Sequence, residues 1–334
     1  MSKQISIVGA GVAGLVCATE LVAQGVSVTI YDRADEIGPD QCSWFAGGML
    51  APWCERENAE QDVITLGAMS ADWWDEHTGL VVRNGSLVVA QGRDRAELSR
   101  FAARTSNYTE LAEDEIGALE PDLAGRFQRA LYFADEAHLD PRKALTTLVD
   151  RLKARGVKFE LGAAVDPAKL ASDGPVLDTR GFAARETLSD LRGVKGEMLL
   201  VQCPEISLAR STRMLHPRIP LYIVPRGDGL FMVGATMIES AERERMSVRS
   251  MLELLGSAYA LHPAFGEAEI VETGVDVRPA YSNNLPRITR SGDIISLNGM
   301  HRHGFLLSPN MAKQATEIFL SMTGLKERAN ANFA

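Results

Sequence analysis

An apolar strand, a glycine-rich turn and an apolar helix stand near the head of this sequence, in "IVGAGVAGLVCATELVAQGVSVTIYD" from Ile7 to Asp32. Gly9, Gly11 and Gly14 spell G-x-G-x-x-G, and Asp32 follows 18 positions after the last of them. Each residue type answers a physical need. Gly9 allows the tight turn, Gly11 lets backbone approach a pyrophosphate, and Gly14 lets helix and strand pack closely. The helix N-terminus carries partial positive charge and favours phosphate there. Asp32 is placed to take ribose hydroxyls, and an acid at that point disfavours a 2'-phosphate. The first strand spans Ile5–Val8. The helix is predicted from about Ala13 to Gln24, with Leu15, Ala18, Leu21 and Val22 on one face and Gly25 as its stop. A second strand, Val26–Tyr31, completes a βαβ unit that binds a dinucleotide, either nicotinamide or flavin.

The remaining composition narrows the class. With 334 residues, 46 % of them hydrophobic, the chain can bury a large core with room for a cofactor. A net charge of -9 argues against nucleic acid and against anionic membrane surfaces. No signal peptide is expected, because the first apolar run is the strand of the βαβ unit. No apolar run approaches the ~20 residues of a membrane span. Cys17, Cys42, Cys54 and Cys203 are scattered without a CxxC pair, which fits reduced thiols and a cytoplasmic location.

Helix and strand keep alternating further on. "LDPRKALTTLVDRLKARG" is a helix with Asp140 as N-cap, Pro141 in its first turn and Gly156 as its stop, followed by a strand at Val157–Leu161. Ser86–Gly92 is an antiparallel-looking strand. "LYIVPRGDGLFMVGAT" is a hairpin, Leu221–Val224 and Leu230–Ala235, turning around Gly227-Asp228-Gly229. No linker separates the pieces, so two domains are expected to interleave along the chain. Ser308 as cap and Pro309 as first residue are expected to start a final helix ending near Met322, ahead of a frayed tail, "KERANANFA".

A second segment, "CSWFAGGMLAP" from Cys42 to Pro52, lies about 30 residues beyond the glycine loop. With it come "VKGEMLLV" (Val194–Val201), "YIVPRGDGLFMVGATM" (Tyr222–Met237), "TGVDVRPAYSNNLPRI" (Thr273–Ile288) and "NGMHRHGFLLSP" (Asn298–Pro309). In this order they resemble the D-amino acid oxidase superfamily of flavoproteins, and within it the glycine oxidases of thiamine biosynthesis. No second glycine loop for a nicotinamide is present. Some positions depart from the family pattern. "PVLDTRGFAARE" (Pro175–Glu186) stands where the family has A-D-x-V-V-x-A-x-G-x-W-S, with Gly181 in the matching place. Met300-His301 replaces His plus an aromatic residue, His303 replaces a small polar residue, and His216 lies near a family tyrosine.

The resemblance implies an α/β plus α+β fold. A Rossmann-like FAD-binding domain (1–80, 135–182 and 292–334) interleaves with an antiparallel-sheet substrate-binding domain (81–134 and 183–291). It places bound FAD, held noncovalently, on Gly9, Gly11, Val12, Ala13, Gly14, Asp32, Arg33, Cys42, Ser43, Gly47, Gly48, Met49, Val165 and Gly181. Met300, His301, Arg302, His303, Gly304, Phe305 and Leu306 complete that set. Gly47 and Gly48 are expected to let backbone lie against the flavin ring, where a side chain would collide with it. Cys42 and Cys54 lie near the same segment. The final helix's positive end is expected to face the flavin, where negative charge appears on reduction.

Three residues carry the expected chemistry. Arg278 precedes Pro279, so its backbone is extended and its planar fork can meet a substrate carboxylate; the plain alternative is a surface ion pair. By the resemblance, Tyr222 adds a second hydrogen bond to that carboxylate; the alternative is a core tyrosine. The resemblance also places the Arg302 backbone beside the flavin and its side chain near the substrate. Met237, with His216 as a second candidate, floors the substrate pocket; the alternative is a core methionine. His301 reads as a packing residue before a base. Two histidines two apart, without a third ligand, do not make a metal site, so no metal is expected. The implied activity is FAD-dependent oxidation of glycine and other small amines to the imine, with O2 reduced to H2O2, feeding thiamine thiazole biosynthesis. Alternatives on the same scaffold are a sarcosine or D-amino acid oxidase or dehydrogenase. The implied partners are a small amino acid and O2, with no nucleic acid or membrane; a homo-oligomer and a hand-off to thiazole synthase stay open.

Overall fold

The computed structural model describes residues 4–57, 61–218, 220–243 and 245–324. The tail "KERANANFA" lies outside the described residues. Two large sheets organise the rest. One has six strands in the order Arg287–Ser291, Ile294–Asn298, Val176–Asp178, Gln4–Val8, Ser27–Tyr31, Lys158–Glu160. All neighbours are parallel except the first pair. Gln4–Val8, at its centre, is flanked by Val176–Asp178 and Ser27–Tyr31. The helices Val12–Ala23, Pro141–Ala154 and Gly304–Met322 pack in the core that covers this sheet. The boundary expected at residue 291 falls too late, because Arg287–Ser291 pairs with Ile294–Asn298 inside this sheet.

The glycine turn is dictated by close packing. Gly9 has φ +109°, and a Cβ there would lie 2.6 Å from the Thr179 carbonyl oxygen. A Cβ on Gly14 would run into the carbonyl of Gly9. The Thr179 hydroxyl donates to the Gly9 carbonyl at 2.9 Å, tying two strand ends together. Gly14 therefore packs helix on strand and does not face a ligand. Asp140 caps the second helix as expected, accepting from the Arg142 and Lys143 amides.

The other sheet has nine strands, with the long pair Arg192–Gln202 and Glu269–Ala280 near one side. The hairpin Leu221–Gly227 and Leu230–Gly234 lies in its middle. It is antiparallel throughout except where Ser86–Ala90 meets Ser211–Leu215 in parallel. Its own apolar core packs beneath the helix Val248–Leu261.

The C-terminal helix corrects the expectation for Ser308 and Pro309. It begins at Gly304, and Pro309 sits inside it. Proline there cannot donate to the carbonyl four residues back, which is Phe305. That carbonyl instead accepts from Trp74 Nε1 at 2.8 Å and Ser70 Oγ at 3.2 Å, both side chains buried. The helix still presents its positive end toward the strand termini, five residues earlier than the local proline rule suggests. Among the described residues no helix is long and apolar enough to cross a membrane.

Candidate active site

The parallel strands end at Val8, Tyr31, Asp178 and Asn298, and the residues just beyond these ends line one cavity of about 620 Å3. A ligand crevice outside the carboxyl ends of parallel strands is the general rule for such sheets. The opposite wall comes from the second sheet, through Gly196, Met198, Tyr222, Asp276 and Arg278.

Of the residues expected to touch the cofactor, all but Gly14 line this cavity, as do Tyr222, Arg278 and Arg302. A Cβ built on Gly11 would meet only Ser43 Oγ, at 3.3 Å, so this side of the loop is open cradle. Ser43 Oγ accepts the Val12 amide at 3.0 Å, at the positive end of the first helix. Asp32 accepts from the Ala10 and Ala34 amides through its two oxygens, each of which keeps a further lone pair. Volume, glycine cradle and helix terminus together fit a flavin dinucleotide.

The expectation for Gly48 needs correction. A Cβ at Gly48, which has φ +72°, would strike the Leu139 carbonyl and Pro141, so the protein itself excludes a side chain there. At Gly47 a Cβ would lie 3.0 Å from Tyr222 Cε2. Arg226, on the strand that carries Tyr222, donates to the carbonyls of Ala46 (3.2 Å), Gly47 (2.9 Å) and Leu139 (3.0 Å). Burial lowers the Arg226 pKa to about 10, and three backbone carbonyls still hold its guanidinium.

Arg278 lies on Glu269–Ala280 with Nη1 donating to the Thr236 carbonyl at 2.9 Å. Its guanidinium lies flat over Gly196 on the neighbouring strand, in the space a Cβ would occupy. Among the described residues no carboxylate pairs with Arg278.

Arg302 is different. Its Nε and Nη2 both bind Glu55 at 3.0 Å. Glu55, 6 % exposed, also takes Arg213 Nη2 on Oε1 and His303 Nε2 on Oε2, the latter at 3.0 Å. Burial alone would raise the pKa of this carboxyl, but Arg302, Arg213 and His303 together hold it well below the usual range. Burial alone would lower the Arg213 pKa, but the Glu55 carboxylate beside it raises it above the ordinary arginine value, so the guanidinium stays charged. Burial and the cations around it push His301 down to about 2, so its ring is neutral and brings no positive charge to the cavity. The His301 backbone, at φ +49°, donates to the Pro279 carbonyl at 2.8 Å, joining this turn to the strand of Arg278.

Met237 and His216 do not serve as the pocket floor. Met237 is 49 % exposed, outside the cavity lining, with Sδ 3.6 Å from Arg302 Nη1. His216 lines a separate hollow with Met214 and Leu252. Side chains alternate along a strand. Arg213 points toward Glu55, so Met214 and His216 fall on the face turned to the helix Val248–Leu261. Met49, Met198 and Tyr222 line the cavity instead. Among the described residues no cluster could hold a metal.

Sequence reading passed over Glu55, Arg213, Arg226 and Gly196. The acid in "APWCERE" and the arginine in "STRML" look like solvated charges, and nothing local marks them as buried. Gly196 had a signal, since glycine inside a strand marks a close approach.

The FAD dependent oxidoreductase family (DAO) matches residues 4–318. A Rhizobium etli protein, ThiO, whose name assigns it to thiamine biosynthesis as an oxidoreductase, is 53 % identical over 97 % of this chain and 99 % of its own. Glycine oxidase of Pseudomonas aeruginosa is 27 % identical over 92 % of each chain. The crystal structure of glycine oxidase from Geobacillus kaustophilus superposes with a TM-score of 0.78 at 22 % identity, over 94 % of this chain and 93 % of that one.

Proposed function

The chain belongs to the FAD dependent oxidoreductases, and from that premise we propose that it oxidises glycine and similarly small amines to the imine, with O2 as acceptor, in support of thiazole formation for thiamine. One observation carries the substrate class. Arg278 brings a planar cation, without a carboxylate partner among the described residues, into a cavity shared with the glycine loop and Tyr222. The names of the Rhizobium and Pseudomonas relatives support the choice of amine and the link to thiamine.

In this reading Gly9, Gly11, Val12 and Ser43 would hold the pyrophosphate of noncovalent FAD, Asp32 would take the ribose, and the first residues of the helix Gly304–Met322, which line the same cavity, would hold the rest of the cofactor. When bound, FAD supplies acceptance of a hydride from the substrate α-carbon. The chain's own work is orientation. Arg278 and Tyr222 fix the carboxylate at two points, which turns the α-carbon in one direction; such alignment is worth up to ~7 kcal/mol or more. Of the carboxylates that line the cavity, Glu55 is held by two arginines and a histidine and Asp276 by Arg243, and Arg278 and Arg302 add positive charge on the same walls. The cationic surroundings therefore favour the neutral amine, the form from which hydride can leave. Met49, Met198 and Tyr222 line the cavity beside these groups and would be the surfaces a larger substrate side chain has to pass.

The test is an anaerobic panel of glycine, sarcosine, D-alanine and D-phenylalanine, following loss of visible flavin absorbance, then peroxide on admitting oxygen. Glycine and sarcosine should reduce the flavin faster than D-alanine, and D-alanine faster than D-phenylalanine. Faster reduction by D-phenylalanine than by glycine would overturn the reading. Bleaching without peroxide would replace O2 by another acceptor.

A further inference from the structure

Of the arginines that line the cavity, Arg278 and Arg302 are the two expected beside the substrate, yet a substrate with one carboxylate needs one anchor. Their surroundings differ. The edge of Arg302 formed by Nε and Nη2 is closed by the carboxylate of Glu55, at 3.0 Å to each nitrogen. This is the two-pronged arrangement in which arginine binds carboxylate best. Arg278 has only a backbone carbonyl, that of Thr236, on Nη1.

Glu55 is well placed for this. It closes the short helix Pro52–Glu55, directly after the segment that carries Gly47, Gly48 and Met49. Arg213 reaches it from the nine-stranded sheet, and Arg302 and His303 reach it from the turn before the C-terminal helix. One buried carboxylate thus joins three separate segments. It faces two guanidiniums, so the cluster keeps a net positive charge even with Glu55 ionised.

We propose that Glu55 is a positioning residue that sequesters Arg302, so that the substrate carboxylate is directed to Arg278 alone and in a single pose. The role rests on the proposed carboxylate clamp. Without the negative charge at position 55, the paired edge of Arg302 opens to the cavity. A substrate carboxylate then has two competing anchors. It binds more tightly, and it is turned away from the pose that reacts.

The experiment uses the FAD-loaded full chain and glycolate, a carboxylate without an amine, titrated by its perturbation of flavin absorbance, alongside glycine turnover. Glu55→Gln should bind glycolate about tenfold more tightly, the scale of one charge-assisted contact, while kcat for glycine falls by a similar factor or more. Glu55→Asp should move both values back toward wild type. A purely structural role predicts weaker binding together with lower kcat, and that result, or unchanged glycolate binding, overturns the proposal. Should Glu55→Gln not fold, Arg302→Met decides: glycolate affinity within about twofold of wild type supports sequestration, and a loss of about tenfold or more makes Arg302 a carboxylate ligand and overturns it. A wild-type holoenzyme that glycolate does not perturb removes the clamp itself, and with it the proposed function. A responsive wild type with no gain in Glu55→Gln removes only the role of Glu55.

Discussion

One methyl group should be enough to disable the carboxylate anchor. A Cβ on Gly196 would stand 2.7 Å from Arg278 Nη1, and closer still to Nη2 and the central guanidinium carbon. Ordinary heavy-atom contact is ~3.5–4.0 Å, so in Gly196→Ala the guanidinium has to retreat by about 1 Å. It then loses its hold on the Thr236 carbonyl and its aim at the ligand. Loss of charged hydrogen bonds costs about 1.5–3 kcal/mol, or roughly tenfold to a hundredfold in affinity. Misplacement by 1 Å can cost ~100-fold in rate as well. The backbone should not suffer. The φ of Gly196 lies outside the left-handed range, and alanine is better than glycine in a strand by about 0.5–1 kcal/mol. Gly196→Ala should therefore keep its FAD and its melting temperature, while glycolate affinity and glycine kcat/KM fall by one to two orders of magnitude. The readouts are a glycolate titration of flavin absorbance, a thermal melt and steady-state glycine kinetics. A folded, yellow variant that binds glycolate within about twofold of wild type would refute the placement of Arg278 as anchor.

Three further outcomes follow from other parts of the molecule. Trp74→Phe removes the indole donor from the Phe305 carbonyl and should lower unfolding free energy by about 1–3 kcal/mol in urea titrations, while Ser70→Ala, whose bond is longer, should cost less; an unchanged Trp74→Phe would refute the account of Pro309. His138 is 3 % exposed, and burial, reinforced by Arg226, lowers its pKa to about 4. Its folded pKa lies below the unfolded ~6.5, so the stability from its neutral form is present above that value and is lost as pH falls toward 4, about 3 kcal/mol in all. His138→Gln should flatten wild-type stability between those two pH values, and an unaltered slope would assign the loss to other groups. Burial, with Asp276 nearby, pushes the Cys42 thiol up to about 12, which leaves no thiolate to attack a flavin. Acid precipitation should accordingly release all the yellow colour into the supernatant, and colour retained in the pellet would show a covalent link.

The first 32 residues were legible because strand, turn, helix and acid are each set by neighbours in sequence. Asp140 was legible for the same reason, since its carboxylate reaches the amides two and three residues on. Pro309 was not. Proline in a first turn is a sound local rule, but here the freed carbonyl is satisfied by Ser70 and Trp74, more than 230 positions away. His216 failed for a different reason. One strand delivers alternate residues to opposite faces, and only the sheet shows that Arg213 owns the face turned to Glu55. Gly48 was singled out correctly as a position that refuses a side chain, but for the wrong neighbour, since Leu139 and Pro141 already fill the space.

The same distinction separates what was and was not legible at the site. Arg278 could be named because "TGVDVRPAYSNNLPRI" resembles a family segment; the arginine before proline alone reads as well as a surface ion pair. Gly196 could be noticed because glycine in the strand "VKGEMLLV" is out of place. What joins them is register. Arg278 lies opposite Val194 and Asp276 opposite Gly196 across the long antiparallel pair. Arg278 is thus one diagonal step from Gly196, a distance a long side chain spans with ease. Its fork lies down over Gly196, a position on that strand with no side chain to lift it, and Thr236 receives one end. Arg302, with the same side chain and the same cavity, meets Glu55 instead. In the proposed clamp, strand register and one buried acid decide which of the two arginines is left to bind a carboxylate, and a local motif encodes neither.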